Sequence, residues 1–166
     1  RFEIKHLKDT TVYLANYYGE KLYYADTAFA DVNGKFSFSK VPFENQGKYA
    51  VVIPGPKFFE IIIADKEEIE IKTDTSDLSG SVQVLKSENN KIMYDYMDYL
   101  RERRKEREEI LKGLEENQDN EEKTAELREN YDALNNIVRD YQQKIGDANP
   151  ELFAAREILM SVEPEV

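Results

Sequence analysis

Hydrophobic residues change their spacing once along this chain, near Ser87, and that change divides what it can fold into. Before it, apolar and polar side chains alternate over short runs bounded by turn residues, as half-buried strands require. After it, apolar residues recur every three to four positions, as one face of a helix requires. The expectation is an α+β chain: an antiparallel β-sandwich over residues 1–86, then a helical arm over 87–166 made of a helical hairpin and a third short helix.

About eight strands can be named in the first part. Phe2-Glu3-Ile4-Lys5 alternates from the start. Val12 and Leu14 alternate with Tyr13 and Ala15, and Tyr17-Tyr18-Gly19-Glu20 turns the chain into Lys21 to Ala30. Asn33-Gly34 is the strongest hairpin signal, because both positions tolerate the positive φ of a type I′ turn. It leads into Lys35-Phe36-Ser37-Phe38-Ser39, with both phenylalanines inward. Further strands are expected at Lys48 to Ile53, Phe58 to Ala64, Glu67 to Thr73 and Ser81 to Leu85, separated by Pro54-Gly55-Pro56 and Asp65-Lys66. Eight strands exceed the usual four to six of one sheet, so two facing sheets are expected.

Ser87 or Asn89 can cap the first helix, whose Met93, Met97, Leu100, Leu111 and Leu114 form a stripe interrupted by Arg104 and Arg107. Asn117-Gln118-Asp119-Asn120 breaks it. The second helix carries Leu127, Tyr131, Leu134, Val138, Tyr141 and Ile145 at spacings of four and three, a heptad seam expected to stop at Gly146. Asn149-Pro150 then predicts the opening of a third helix reaching about Val162. Because the arginines interrupt the matching stripe, the first helix answers only part of the seam. The uncovered remainder offers a surface for a second copy or another domain, unless the third helix covers it.

Charge follows the same division. Residues 1–86 hold 11 basic and 13 acidic side chains, net −2, and the remainder 12 and 21, net −9, giving −11 in all. Such a balance repels nucleic acid and anionic lipid, so neither is expected as a partner. Without cysteine there is no disulfide, thiolate nucleophile or thiolate metal site, and His6 is the single histidine. No metal and no cofactor is therefore expected. No apolar run approaches the roughly 18 residues of a membrane span. Because a strand pattern begins at once after Arg1, the chain is expected to be an excerpt of a longer protein.

Three groups of side chains merit weighing as sites. Arg101, Arg103, Arg104, Lys105 and Arg107 are interleaved with Glu102, Glu106, Glu108 and Glu109 so that opposite charges meet across single turns, which favours a salt-bridged helix face over a nucleic-acid patch. Arg104 and Arg107 are the exceptions, free to cover the apolar stripe with their stems or reach an acidic partner. Tyr17, Tyr18, Tyr23 and Tyr24 surround one turn. They suit either ordinary strand packing or a ligand surface on which a sugar ring stacks. The acidic pairs, including Glu67-Glu68 and Asp74 to Asp77, lack calcium-loop spacing and are expected to be solvated. His6 is expected at the surface, and no residue is assigned a catalytic role.

Three stretches carry a likeness. Asp31-Val-Asn-Gly-Lys-Phe-Ser-Phe38 resembles a "D/N-G-x-F-x-F" hairpin, and Phe58-Phe-Glu-Ile-Ile-Ile63 followed by Ile69-Glu-Ile71 resembles a pair of late strands. Val82 to Asn89 is similar to a "V-x-G-S-x-x-N" transition, with Lys86 where glycine is usual. Together they resemble the domain of unknown function that precedes a thioredoxin-like (AhpC/TSA-like) domain in exported thiol:disulfide interchange proteins and lipoproteins of Gram-negative bacteria. Ser161-Val-Glu-Pro-Glu-Val166 resembles the segment leading into that domain, so the likeness spans nearly the whole chain.

The resemblance implies an exported parent, periplasmic or attached to the cell envelope through an anchor preceding this chain, with its Cys-x-x-Cys pair beyond Val166. None of those redox residues maps here. The implied role is a non-catalytic accessory module that positions the redox domain or mediates homodimer or partner contacts, with Leu127, Tyr131, Leu134, Val138, Tyr141, Arg104 and Arg107 as the candidate interface. The alternative is a carbohydrate- or ligand-binding β-sandwich module using Tyr17, Tyr18, Tyr23 and Tyr24.

Overall fold

A computed structural model describes the whole chain except residues 19, 40–45, 65 and 163–166, and describes Tyr17 and Tyr18 by their backbone alone. The expected turn residue Gly19 and the punctuating Asp65 lie outside the described residues. The chain divides into two compact units, Arg1–Tyr94 and Asp95–Val166.

Among its described residues the first unit is a β-sandwich of eight strands: β1 (Phe2–Lys5), β2 (Thr10–Tyr18), β3 (Lys21–Ala30), β4 (Lys35–Phe36), β5 (Gly47–Ile53), β6 (Lys57–Ile63), β7 (Glu70–Asp74) and β8 (Gln83–Lys86). One sheet runs β4-β1-β7-β8 and the other β3-β2-β5-β6. Among the described residues every ladder is antiparallel except β1 with β7, which is parallel. The whole second sheet lies between those two strands in sequence, and that long return brings β7 back in the direction of β1.

Alternation explains the core. Phe2 and Ile4 of β1, Val12 and Leu14 of β2, Tyr49, Val51 and Ile53 of β5, Phe59 and Ile61 of β6 and Ile71 of β7 point into one cluster between the sheets. Phe36 stacks on Phe2 at 5.3 Å between ring centroids, and Phe38 meets both rings edge-on. Burial pushes the Tyr49 phenol above its ordinary pKa.

The Asn33-Gly34 turn differs from expectation in type and in what it joins. Asn33 stays out of the left-handed region, and only Gly34 enters it, at φ 76°. The Asp31 carboxylate accepts from the backbone N–H groups of Asn33 and Lys35, at 2.8 and 3.0 Å, and the Gly34 N–H donates to the Asp31 carbonyl. This is a tight turn over Val32-Asn33 with glycine after it, set by an aspartate that the local pattern undervalued. It carries the chain from the edge of one sheet to the edge of the other, and a Cβ on Gly34 would run into the Ile4 carbonyl.

Helix α1 (Glu88–Glu116) begins within the first unit and continues into the second. Ser87 is its cap: the Oγ accepts from the Asn90 N–H at 3.0 Å, with Ser87 itself at φ 120°. Positive φ thus falls one residue after Lys86, the position where the resembled motif has glycine. The Glu67 carboxylate, expected to be solvated, instead accepts from the backbone and side-chain N–H groups of Asn89, placing negative charge at the helix N-terminus.

In the second unit α1 is followed by α2 (Glu121–Ala148) and α3 (Phe153–Met160). Asn120 caps α2, its side chain accepting from the Lys123 N–H at 3.0 Å. Gly146 does not end α2, which runs on to Ala148. It is buried, and a side chain there would collide with Leu159 of α3. Glycine is needed for close packing of helices here, not for a stop. Asn149 likewise closes α2, donating from its backbone and side chain to the Ile145 carbonyl. The third helix starts three residues after Pro150, with Leu152 in the capping position and no side-chain cap.

Candidate functional site

The hairpin of α1 and α2 gathers a groove of about 350 Å³ in the second unit. Leu100, Arg103, Arg104 and Arg107 line it from α1, their spacing of three and four placing them on one face. Tyr131, Leu134, Asn135, Val138, Arg139 and Gln142 line it from α2, and Ser161 from beyond α3. The floor is apolar, with Leu134 buried and Val138 and Leu100 half-buried. Four guanidinium groups surround it, and none of the lining residues among those described is acidic.

The charges around the groove are not equally engaged. On α1, Arg101 pairs with Asp98 at 3.0 Å, Lys105 with Glu102 at 3.1 Å, and Arg103 with Glu106 at 2.9 Å. These single-turn pairs make the salt-bridged face read from the sequence. Arg107 instead lays its guanidinium over the Tyr131 ring, 5.6 Å from the centroid. Arg104 is exposed and makes no ion pair among the described residues.

Of the seven candidate interface residues, the structure brings five together here: Arg104, Arg107, Tyr131, Leu134 and Val138. Tyr141 is used internally, stacked on Tyr99 at 3.9 Å and Tyr96 at 6.1 Å. Burial pushes the Tyr99 phenol up. Leu127 packs at the far end against Gly113, where an added Cβ would lie 3.1 Å from it. Arg103, Arg139 and Gln142 were missed as groove residues. The spacing carried the signal, since Arg103 lies one turn before Arg107 and Arg139 two turns after Tyr131, but a seam traced through apolar residues alone passes over them.

The tyrosine surface is arranged differently. Tyr23 and Tyr24 are both exposed, but as neighbours on β3 they point to opposite faces. Tyr24 pairs with Tyr13, ring centroids 4.8 Å apart. The side chains of Tyr17 and Tyr18 lie outside the described residues. His6 is exposed at φ 68°, with Nδ1 3.1 Å from the Asp74 carboxylate. The Ser76 N–H, His6 and the Ser76 hydroxyl together hold that carboxyl down to about 2. Asp77 accepts from the Gly80 N–H. Among the described residues no three metal-ligating side chains cluster, and no helix is long and apolar enough to cross a membrane.

Residues 2–93 match the profile of a domain of unknown function, DUF4369. The chain belongs to that family. The DUF4369 match ends in the second turn of α1, so it covers the sandwich with its anchored helix start, and the groove lies wholly beyond it. No curated protein and no solved structure matches the chain.

Proposed function

We propose that this DUF4369 chain is a non-catalytic accessory module of an exported thioredoxin-like thiol:disulfide oxidoreductase, in the periplasm or at the cell envelope. Its helical hairpin positions the redox domain or engages a partner or second copy. The observation that carries the reading is the groove itself: five residues chosen for their interrupted apolar pattern converge on one concave surface, with apolar floor and uncommitted charge. Buried apolar contacts ringed by polar groups are the usual composition of a protein-binding surface. The redox context rests on the resemblance of residues 31–38, 58–71 and 82–89.

The test is equilibrium sedimentation of this chain at high concentration, alone and with the domain encoded after Val166 added in trans. Association with that domain or with itself is expected. A strict monomer that ignores the added domain, or a downstream sequence with no Cys-x-x-Cys pair, overturns the reading.

A further inference from the structure

We infer that the groove takes a carboxylate-bearing peptide segment of a partner protein, gripped by Arg104 and Arg107; this rests on the interaction-module reading above and names its partner's chemistry. The chain is strongly acidic, −11 overall, yet among the described residues four arginines and no carboxylate line this groove. Elsewhere on α1 the basic residues are answered by neighbours one turn away, as Arg101 is by Asp98 and Lys105 by Glu102. Arg104 and Arg107 have no such answer among the described residues.

A second observation points the same way. Arg103, paired with Glu106 and laid over the Tyr99 ring 5.2 Å from its centroid, leaves Arg104 and Arg107 as the groove's α1 cations without an ion pair among the described residues. Guanidinium groups match carboxylates in a two-bond fork, and Tyr131 holds the Arg107 plane in place for it. Arg104 and Arg107 stand one turn apart, about 5 to 6 Å between Cβ atoms. Side chains on one face of an extended peptide recur at about 6.6 Å, so two glutamates separated by one residue can reach both. The apolar floor suits aliphatic neighbours of those glutamates. A long polyanion fits poorly, because the rest of the helical arm is net negative and repels it.

The probe is a fluorescently labelled nine-residue peptide of glutamate and leucine, with a glutamine-for-glutamate counterpart and a single-stranded oligonucleotide as comparisons. Binding of the acidic peptide is expected by anisotropy, weakening as sodium chloride rises. The glutamine peptide should bind at least about tenfold more weakly, and Arg104→Gln with Arg107→Gln should cost the acidic peptide about tenfold or more. Arg101→Gln, on the same helix but paired with Asp98, should change it less than about twofold. Both arginines are exposed, so circular dichroism should show the helices intact.

Four results overturn the inference: no binding at millimolar peptide, equal binding of the two peptides, tighter binding of the oligonucleotide, or equal loss from Arg101→Gln. A tenfold gain on changing Glu163 and Glu165 to Gln would assign the groove to the chain's own acidic segment and overturn the assignment to a partner. If sedimentation shows association but the peptide fails, the chemistry falls and the interaction module stands.

Discussion

Asn90 holds the backbone of Ile62 by both of its polar groups: Oδ1 accepts from the Ile62 N–H at 2.7 Å and Nδ2 donates to the Ile62 carbonyl at 2.8 Å. Ile62 belongs to β6, the edge of its sheet, so this carboxamide supplies what one residue of a further strand would supply. Two residues away, the Tyr94 hydroxyl donates to the Glu60 carbonyl at 2.6 Å, and burial pushes its phenol pKa up. The start of α1 thereby closes an open sheet edge.

Replacing Asn90 by Ala should therefore be costly. It leaves a buried N–H and a buried C=O without partners, each worth about 1 to 3 kcal/mol, and an overall loss of about 3 kcal/mol is expected. Asn90→Asp should also destabilise, since a carboxylate oxygen would then face the Ile62 carbonyl. Urea unfolding followed by circular dichroism checks the size, and amide exchange at Ile62 checks the place. A loss below about 0.5 kcal/mol, with Ile62 still protected, would show that the edge is closed by something else.

The acid limb of stability should carry the mark of Asp74. Its carboxyl is held near 2 chiefly by the Ser76 N–H, then by His6 and the Ser76 hydroxyl, against an ordinary 3.8. A folded pKa below the unfolded one means a contribution fully present above about pH 4 and lost as pH falls through about 2. Asp74→Asn should accordingly lower the urea midpoint at pH 6, with the difference from wild type closing by pH 2. A difference that stays constant between those two values would mean the residue acts by shape alone.

Within the hairpin, stacking and surface charge should differ in weight. Tyr141 lies nearly parallel to Tyr99, 3.9 Å between centroids at 8°. Tyr141→Ala removes that ring contact and the buried area beneath it, for an expected loss of about 3 kcal/mol. Lys105→Ala breaks an exposed pair with Glu102 and should cost less than about 0.5 kcal/mol. Thermal unfolding of the two variants tests the ranking, and equal effects would refute it.

How much of this could be read from the sequence depended on whether one local pattern decided the outcome. Strand alternation through Val12 and Leu14, or Ile69 and Ile71, depends on neighbours two residues away, and the eight strands followed from it. The break at Asn117-Gln118-Asp119-Asn120 was equally local, and its last residue proves to be the cap of α2. Asn90 was not: its partner is 28 residues distant, and it falls one residue beyond the Val82 to Asn89 stretch that carried the likeness. The same holds for Glu67, whose use at the start of α1 depends on where the loop before β7 returns. In the groove, apolar periodicity found Tyr131, Leu134 and Val138, but Arg103 and Arg139 enter through guanidinium groups that apolar periodicity does not register.

Gly146 is the sharpest case of a residue whose role depends on a distant partner, and it supports a prediction against local propensity. Judged by α2 alone, Gly146→Ala should stabilise by about 1 kcal/mol, because alanine is the better helix former and the helix continues through this position. In the folded chain the added methyl would occupy the space of the Leu159 side chain, and neighbouring Ala155 and Ile158 of α3 are buried and unable to give way freely. The clash should outweigh the propensity, undocking α3 from α2 and lowering the thermal midpoint. Restoring room with Leu159→Ala in the same chain should recover part of the loss, and the double-mutant cycle reads that coupling directly. Additive effects of the two substitutions, or a stabilised Gly146→Ala single variant, would mean that α3 does not depend on this contact.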